Sequence, residues 1–167
     1  LIAARMLSRA TDTAINAGFV KDRLARALAL RDRLFATPYY RLLHAEADGL
    51  PGFVVDRFGD ALSIQVNTAG AEILLPMLLE AVDDIVSPRV IVIRADAPVR
   101  ALEGLNPRVE VLPASADRPI EVQEGALRAL ADLTAGQKTG WFYDQRDNRA
   151  FAATLAPGLE VLDLYCY

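Results

Sequence analysis

The stretch Gly136-Gln137-Lys138-Thr139-Gly140-Trp141-Phe142-Tyr143-Asp144-Gln145-Arg146-Asp147-Asn148-Arg149 decides how the chain is organised. Two glycines flank a lysine and a threonine, three aromatic residues follow, and a polar segment leads into the helical pattern of residues 150–155. Glycine permits backbone conformations that other residues resist, Asp144 can serve as a helix N-cap, and the free N–H groups of a helix start suit an anionic or polar ligand. Two interpretations follow: a ligand-contacting loop, or an ordinary turn with Trp141 and Phe142 as core residues.

Length and composition limit the class of protein. The chain has 167 residues, of which 53% are hydrophobic, and this is ample material for a core. The net charge of −4 opposes a strong sequence-independent nucleic-acid binder, because such binding depends on Lys and Arg that neutralise phosphates. One cysteine excludes an internal disulfide, no apolar run approaches the ~20 residues of a membrane span, and the first residues lack a signal-peptide pattern. These features predict a cytoplasmic protein.

Upstream of residue 136, the spacing of apolar residues predicts an α+β fold in which a central mixed or antiparallel sheet carries helices. Pro76 should lie in the first turn of its helix or kink it. The predicted elements are a strand within residues 1–9, an amphipathic helix over 19–34, an antiparallel meander at 39–46, 53–57 and 61–67, a helix over 71–84, a strand at 90–93, a short helix or loop over 96–105 and a strand at 109–112.

Around and after the glycine-containing stretch, three further elements are predicted. Residues 120–123 and 127–133 flank a Glu-Gly-Ala turn and indicate a β-hairpin. Residues 144–155 have the pattern of a helix, and residues 160–165 have the dense apolar character of a central parallel strand.

Two groups of polar residues have an ordinary and a functional interpretation. The arginines of the helix over 19–34 can face RNA, but a solvated helix face is the favoured explanation. His44 is the one histidine, and its titration near neutral pH invites a catalytic role. A strand histidine with a satisfied hydrogen bond is favoured instead, and no metal site is expected, because no second histidine or cysteine lies nearby.

Three stretches, residues 40–57, 136–149 and 161–167, together resemble the S-adenosylmethionine-dependent 23S rRNA cytosine-5 methyltransferase family. Arg100 and Glu103-Gly104 match it as well. Members carry a PUA domain, a central strand-strand-helix-strand-strand domain and a Rossmann-like methyltransferase domain. The resemblance runs along nearly the whole chain. It implies a fragment in which residues 1–10 are a remnant of the PUA domain or linker, 11–115 the central α+β domain, and 116–167 the first helix and strand of a truncated Rossmann-like domain.

The resemblance also implies S-adenosylmethionine as cofactor and ribosomal RNA as partner, with no membrane and no metal. Phe142 would pack against the adenine or the methionine chain, Lys138 or Arg146 would pair with the methionine carboxylate, and Asp144 would accept from its ammonium group or cap the helix. Arg149 lies three residues after Arg146 on one helix face, and their division between cofactor, RNA and salt bridge stays open. The implied cofactor-binding residues are Lys138, Thr139, Gly140, Phe142, Asp144, Arg146 and Asp163.

The implied chemistry is covalent. Cytosine C5 accepts a methyl group after a cysteine thiolate adds to C6. Cys166 lies within an apolar run, where a buried structural thiol is the usual explanation, and the resemblance places the nucleophile beyond Tyr167. The fragment alone is therefore expected to be inactive. Alternatives are a methyltransferase acting on another RNA base and a non-catalytic RNA-binding or ribosome-assembly module. A Rossmann strand without neighbours would leave an apolar edge, which predicts a homodimer through the truncated domain.

Overall fold

The computed structural model describes residues 2, 4–115, 119–162 and 164. Its α+β class agrees with the prediction, and short 3-10 turns lie at Ala45–Asp48, Pro98–Glu103 and Tyr143–Gln145. The helices and strands are α1 (Ala17–Leu34), β1 (Tyr39–His44), β2 (Phe53–Phe58), β3 (Ala61–Val66), α2 (Ala69–Val86), β4 (Val90–Ala95), β5 (Arg108–Leu112), β6 (Ile120–Glu124), β7 (Leu127–Ala131) and α3 (Arg146–Leu155).

Strands β1 to β5 form one mixed sheet in sequential order. β1, β2 and β3 pair antiparallel, so the predicted meander is confirmed. β3 and β4 are parallel, and α2 connects them because parallel neighbours cannot be joined by a tight turn. β5 returns antiparallel to β4. β6 and β7 form a separate antiparallel hairpin, as predicted.

Side-chain caps set the starts of the two long helices. Asn16 Oδ1 accepts from the N–H of Phe19, at 3.0 Å, before α1, and Thr68 Oγ1 accepts from the N–H of Ala71, at 3.1 Å, before α2. Pro76 lies inside α2, beyond its first turn, so the first of the two predicted alternatives is wrong. It cannot donate to the carbonyl one turn earlier, but six buried side chains of α2 pack against the rest of the protein and hold the helix across this position.

The sheet has a hydrophobic core on each face. α1 and α2 cover one face, and the β6–β7 hairpin, together with Leu133 and Trp141, packs on the other. Side chains alternate between faces along a strand, so in β2 Val55 belongs to the helix-side core and Phe58 to the hairpin-side core. Asp56 therefore points to the face that carries the hairpin.

Arg100 and Glu103 stabilise the core of this fold. Arg100 is almost fully buried and donates to Val66 O at 2.5 Å and to Glu72 Oε2 at 2.9 Å. Glu103 accepts from the N–H of Ala69 at the start of α2, at 2.6 Å. Arg100 thus connects the turn before β5 to α2 and to the end of β3, and Glu103 connects the same turn to the start of α2.

Two predicted strands are wrong in the described part of the chain. Residues 2 and 4–9 form no strand; Ile2 and Met6 are exposed, and no strand of the sheet pairs with this segment. Residues 160–162 and 164 are likewise outside any strand, and Val161 and Leu162 are 70% and 81% exposed. Apolar composition alone does not make a strand, because a strand also needs a hydrogen-bonded neighbour. The rest of the second prediction, including Asp163 and Cys166, lies outside the described residues.

Candidate functional site

The segment between β7 and α3, residues 132–149, is folded tightly around two glycines. A Cβ added to Gly136 would lie 2.5 Å from Asp132 O, and one added to Gly140 would lie 2.9 Å from Leu133 Cδ2. Gly140 also has a φ of +96°, which side chains other than hydrogen disfavour. The fold of this segment therefore requires glycine at both positions, independently of any role in ligand binding.

Thr139 points into the protein. Its side chain is buried, and its Oγ1 donates to Asp56 Oδ2 at 2.5 Å. Asp56 is fully buried in β2 and receives two further hydrogen bonds from the Arg41 guanidinium, at 2.9 and 3.1 Å. These hydrogen bonds raise the pKa of Arg41, with a smaller contribution from the Asp144 carboxylate. The Asp56 carboxylate thus fixes the centre of the loop to the sheet.

A buried arginine, Arg94, holds the start of the loop. Arg94 of β4 donates from Nη1 to Leu133 O at 3.0 Å and to Gly136 O at 2.7 Å. Its other nitrogens bind both oxygens of Asp96, at 3.1 and 2.9 Å. Asp56 and Arg94 are the residues that sequence reasoning missed here, although each interrupts an otherwise apolar strand, and a charge at such a position needs a buried partner.

Lys138 and Phe142 lie together on the outside of the loop. Lys138 is exposed, has a φ of +53°, and places its Nζ 5.4 Å from the centre of the Phe142 ring. Among the described residues, no carboxylate pairs with this ammonium group. The pair therefore offers a cation and an aromatic face to a ligand.

Arg146 and Arg149 instead face the hairpin. The Glu124 carboxylate is 4% exposed and accepts from Arg149 at 2.7 to 2.9 Å, and from Trp141 Nε1 at 2.8 Å. Arg149 also lies over the Trp141 ring, 4.7 Å from its centre. Arg146 lies 3.7 Å from Glu124 and donates to Tyr39 O. Arg149 thus forms a salt bridge with Glu124. Of the three roles that the sequence left open for Arg149, namely cofactor contact, RNA contact and salt bridge, the structure shows the salt bridge.

Asp144 is not the N-cap of α3. A 3-10 turn over Tyr143–Gln145 precedes the helix, which begins at Arg146 with Gln145 as a cap residue that makes no side-chain bond. Tyr143 donates to Arg57 O at 2.6 Å, and burial raises its pKa. Tyr143 is therefore a structural residue, and the exposed Asp144 carboxylate is left available to a ligand.

An open cavity of about 470 Å³ adjoins this turn. Its lining includes Asp144 and Arg146 together with Arg41 and His44. His44 is exposed, and its ring makes no hydrogen bond within the described residues, so the predicted satisfied histidine is not found. Lys138, Thr139, Gly140 and Phe142 do not line this cavity. The structure thus separates the predicted site residues into three groups. Lys138 and Phe142 lie on the outside of the loop, Thr139 and Gly140 pack toward the protein, and Asp144 and Arg146 line the cavity. Asp163 lies outside the described residues.

The described residues contain no group of three or more His, Cys, Asp or Glu side chains arranged to hold a metal ion. Within the same residues, no helix combines the length and apolar character needed to cross a membrane.

No protein-family model matches the chain. Three bacterial proteins named ribosomal RNA large subunit methyltransferase I match almost all of it. The protein from Alteromonas mediterranea is 36% identical over 169 residues, covering 99% of this chain and 43% of its own length. The protein from Photobacterium profundum is 39% identical over 159 residues, covering 92% of this chain and 40% of its own length. The protein from Aeromonas hydrophila is 36% identical over 171 residues, covering 99% of this chain and 43% of its own length.

The chain is similar to these methyltransferases along nearly its whole length. It spans less than half the length of each of them. A solved structure described as a methyltransferase in complex with SAH matches with a TM-score of 0.63 and 18% identity, over 83% of this chain and 36% of its own. A structure described as a SAM-dependent methyltransferase from Streptococcus mutans matches with the same values. At this identity, the likeness establishes a shared fold.

Proposed function

We propose that this chain is part of an S-adenosylmethionine-dependent methyltransferase that modifies ribosomal RNA, at cytosine C5 of 23S rRNA. The observation that carries the proposal is the identity of 36% to 39% with ribosomal RNA large subunit methyltransferases I over 92% to 99% of the chain. The specific base rests on the family resemblance of residues 40–57, 136–149 and 161–167. We assign residues 1–10 to the end of a PUA domain or linker, 11–115 to a central domain and 116–167 to the start of a Rossmann-like domain.

The exposed side of the loop fits the proposed cofactor. Lys138 would pair with the methionine carboxylate and Phe142 would pack against an apolar part of the cofactor, since both are accessible and the Lys138 ammonium has no carboxylate partner among the described residues. Thr139 would act by placing the loop, because its hydroxyl is bound to Asp56. Gly140 would act in the same indirect way, because its φ of +96° and its close packing on Leu133 set the shape of the loop.

The remaining cofactor residues are assigned by position. Asp144 and Arg146 share a cavity and carry opposite charges. Asp144 would accept from the ammonium group of the methionine moiety, and Arg146 is the alternative to Lys138 as the partner of its carboxylate. Asp163 completes the assigned set. When bound, S-adenosylmethionine supplies an electrophilic methyl group, and this chain positions it; we assign the nucleophile to a residue beyond Tyr167 and the compartment to the cytoplasm.

Calorimetry with S-adenosylhomocysteine tests the cofactor assignment, on this chain and on a protein extended to the full length of the relatives. Lys138→Ala should weaken binding by the extended protein about tenfold, because a charged hydrogen bond to the ligand is lost. Gly136→Ala should weaken it as well, since its Cβ would collide with Asp132 O. Lys21→Ala serves as the control, because this lysine lies on α1 and pairs with Asp84.

The outcomes separate the alternatives. Binding by the extended protein, with loss in Lys138→Ala but not in Lys21→Ala, supports the assignment. A well-folded extended protein that binds no S-adenosylhomocysteine contradicts the methyltransferase proposal and favours an RNA-binding or ribosome-assembly module. Digestion of 23S rRNA that the extended protein has methylated should yield 5-methylcytidine. A methyl group on another base would contradict only the choice of cytosine.

We also propose that this chain forms a homodimer through its last 52 residues, 116–167. On the described part of this segment Leu130, Phe151 and Leu155 are 61% to 69% exposed, and exposed apolar surface of this kind favours association. Light scattering should show a dimer that Phe151→Ser/Leu155→Ser converts to a monomer. Ile73→Ser, an equally exposed apolar site on α2, should leave the dimer intact. A monodisperse wild-type monomer at high concentration would contradict this proposal.

A further inference from the structure

An open cleft of about 610 Å³ lies on the side of the protein formed by α1. Three segments line it: residues 6–10, the helix face that carries Arg23 and Arg26, and residues 46–49 in the turn after β1. We call this the α1 cleft. It lies outside the Gly136–Gly140 loop, and no residue assigned to the cofactor lines it.

The distribution of ion pairs singles this cleft out. Among the described residues, most arginines and lysines pair with a carboxylate within 4 Å. The described cations without such a partner are Arg9, Arg23, Arg33, Arg57 and Lys138. Two of these five, Arg9 and Arg23, line the α1 cleft.

The acidic residues of the cleft do not neutralise these two arginines. Glu46 pairs with Arg5, and Asp48 binds the Arg31 guanidinium at 2.5 and 2.8 Å. Arg26, the third arginine of the lining, pairs with Asp22. The cleft thus keeps two uncompensated positive charges in a chain whose net charge is −4. A local positive site in an acidic protein indicates an anionic ligand.

Arg23 is held in place rather than free in solvent. Its guanidinium lies over the Phe19 ring, 4.9 Å from the centre, and a Cβ added to Gly49 would lie 3.2 Å from its Nε. That Nε is buried and has no acceptor, and no carboxylate of the described residues pairs with this guanidinium. A positioned guanidinium with free donors suits the oxygens of a phosphate group.

We propose that the α1 cleft binds backbone phosphates of the ribosomal RNA substrate through Arg9 and Arg23. This inference rests on the proposed function, which makes RNA the polyanion that the protein meets. Met6 and Leu30, which are 68% and 47% exposed in the same lining, provide apolar contacts for sugars or bases. Binding of this kind fixes the position of the RNA and is insensitive to its sequence.

Fluorescence anisotropy with a labelled oligouridylate tests the proposal, because phosphate contacts do not depend on base identity. Arg9→Gln/Arg23→Gln should weaken binding by this chain at least about tenfold at low salt, as two charged contacts are lost. The slope of log K against log salt should also fall by about 1.4, at roughly 0.7 per phosphate contact of a single strand. Thermal unfolding of the variant by circular dichroism should match the wild type.

Arg33→Gln/Arg89→Gln is the control for net charge. It removes two positive charges from outside the cleft, that of Arg89 being paired with Asp60, and should change affinity less than about twofold. Equal losses in both double variants, or no change in the cleft variant, would overturn the proposal, as would failure of the wild-type chain to bind. Arg9→Gln alone, at an exposed residue, keeps the test valid if the Arg23 substitution disturbs folding. RNA binding without S-adenosylhomocysteine binding by the extended protein would instead contradict the proposed function and leave the cleft assignment intact.

Discussion

Asp56→Asn is expected to lower the free energy of unfolding by about 2–3 kcal/mol, because it removes the acceptor charge from a buried ionic network. Asp56 is fully buried, and its carboxylate accepts from Arg41 at 2.9 and 3.1 Å and from Thr139 at 2.5 Å. An asparagine of the same shape has one oxygen and one NH₂ group, so one face of the side chain would turn a donor toward other donors. Arg41 remains partly exposed, which keeps the loss below the full cost of stranding a buried charge.

Urea unfolding followed by two probes measures this effect and locates it. Far-UV circular dichroism reports on the whole fold, and the fluorescence of Trp141, the one tryptophan, reports on the loop. We expect both midpoints to fall, with the fluorescence change coming first, because the Asp56 network joins Thr139 to β2. Binding of S-adenosylhomocysteine by the extended protein should weaken in parallel, since the position of the loop depends on this contact.

Asp60→Asn is the matched control for Asp56→Asn. Asp60 lies in the turn after β2 and pairs with Arg89, but the two side chains are 62% and 53% exposed. An exposed pair of this kind contributes about 0–1 kcal/mol. Similar losses in the two variants would show that Asp56 acts as an ordinary surface charge, and the buried network would then not be what holds the loop.

The sequence predicted the elements that depend on local pattern. The period of two in β2 and β3 and the helical spacing in α1 and α2 come from side chains that face a core, so they are visible without the fold. The Glu-Gly-Ala turn is likewise a local signal, and it predicted the position of the hairpin. The wrong strand prediction at residues 160–162 has the opposite origin. An apolar run predicts burial, but burial as a strand needs a hydrogen-bonded neighbour, and no described strand lies beside residues 160–162.

The sequence singled out the glycine-containing loop but not the contacts that its side chains make. Lys138 is exposed on this loop, whereas Thr139 is buried and Arg149 is ion-paired. Their partners lie far away in the sequence: Thr139 meets Asp56 across 83 residues, and Arg149 meets Glu124 across 25. Such pairings depend on how the hairpin packs on the sheet, which one sequence without a fold does not specify.

Glu124→Gln is expected to lower the free energy of unfolding by about 2 kcal/mol and to loosen α3 from the hairpin. No side chain of α3 is buried, so little hydrophobic burial holds this helix. Its attachment depends on Arg149, which binds both oxygens of Glu124, and on Arg146, which lies 3.7 Å from the same carboxylate. With glutamine at position 124, two guanidinium groups would face a neutral amide whose NH₂ repels them.

Trp141 provides a direct readout, because its Nε1 donates to Glu124 Oε1 at 2.8 Å and Arg149 covers its ring. Glu124→Gln should shift its emission to longer wavelength as water reaches the indole, and amide hydrogen exchange should accelerate in residues 146–155. Glu121→Gln is the matched control on the same hairpin. Glu121 pairs with Arg128, with side chains 51% and 68% exposed, and its loss should cost under about 1 kcal/mol without moving the emission. Unchanged emission and exchange in Glu124→Gln would mean that contacts other than the Glu124 carboxylate hold α3 against the hairpin.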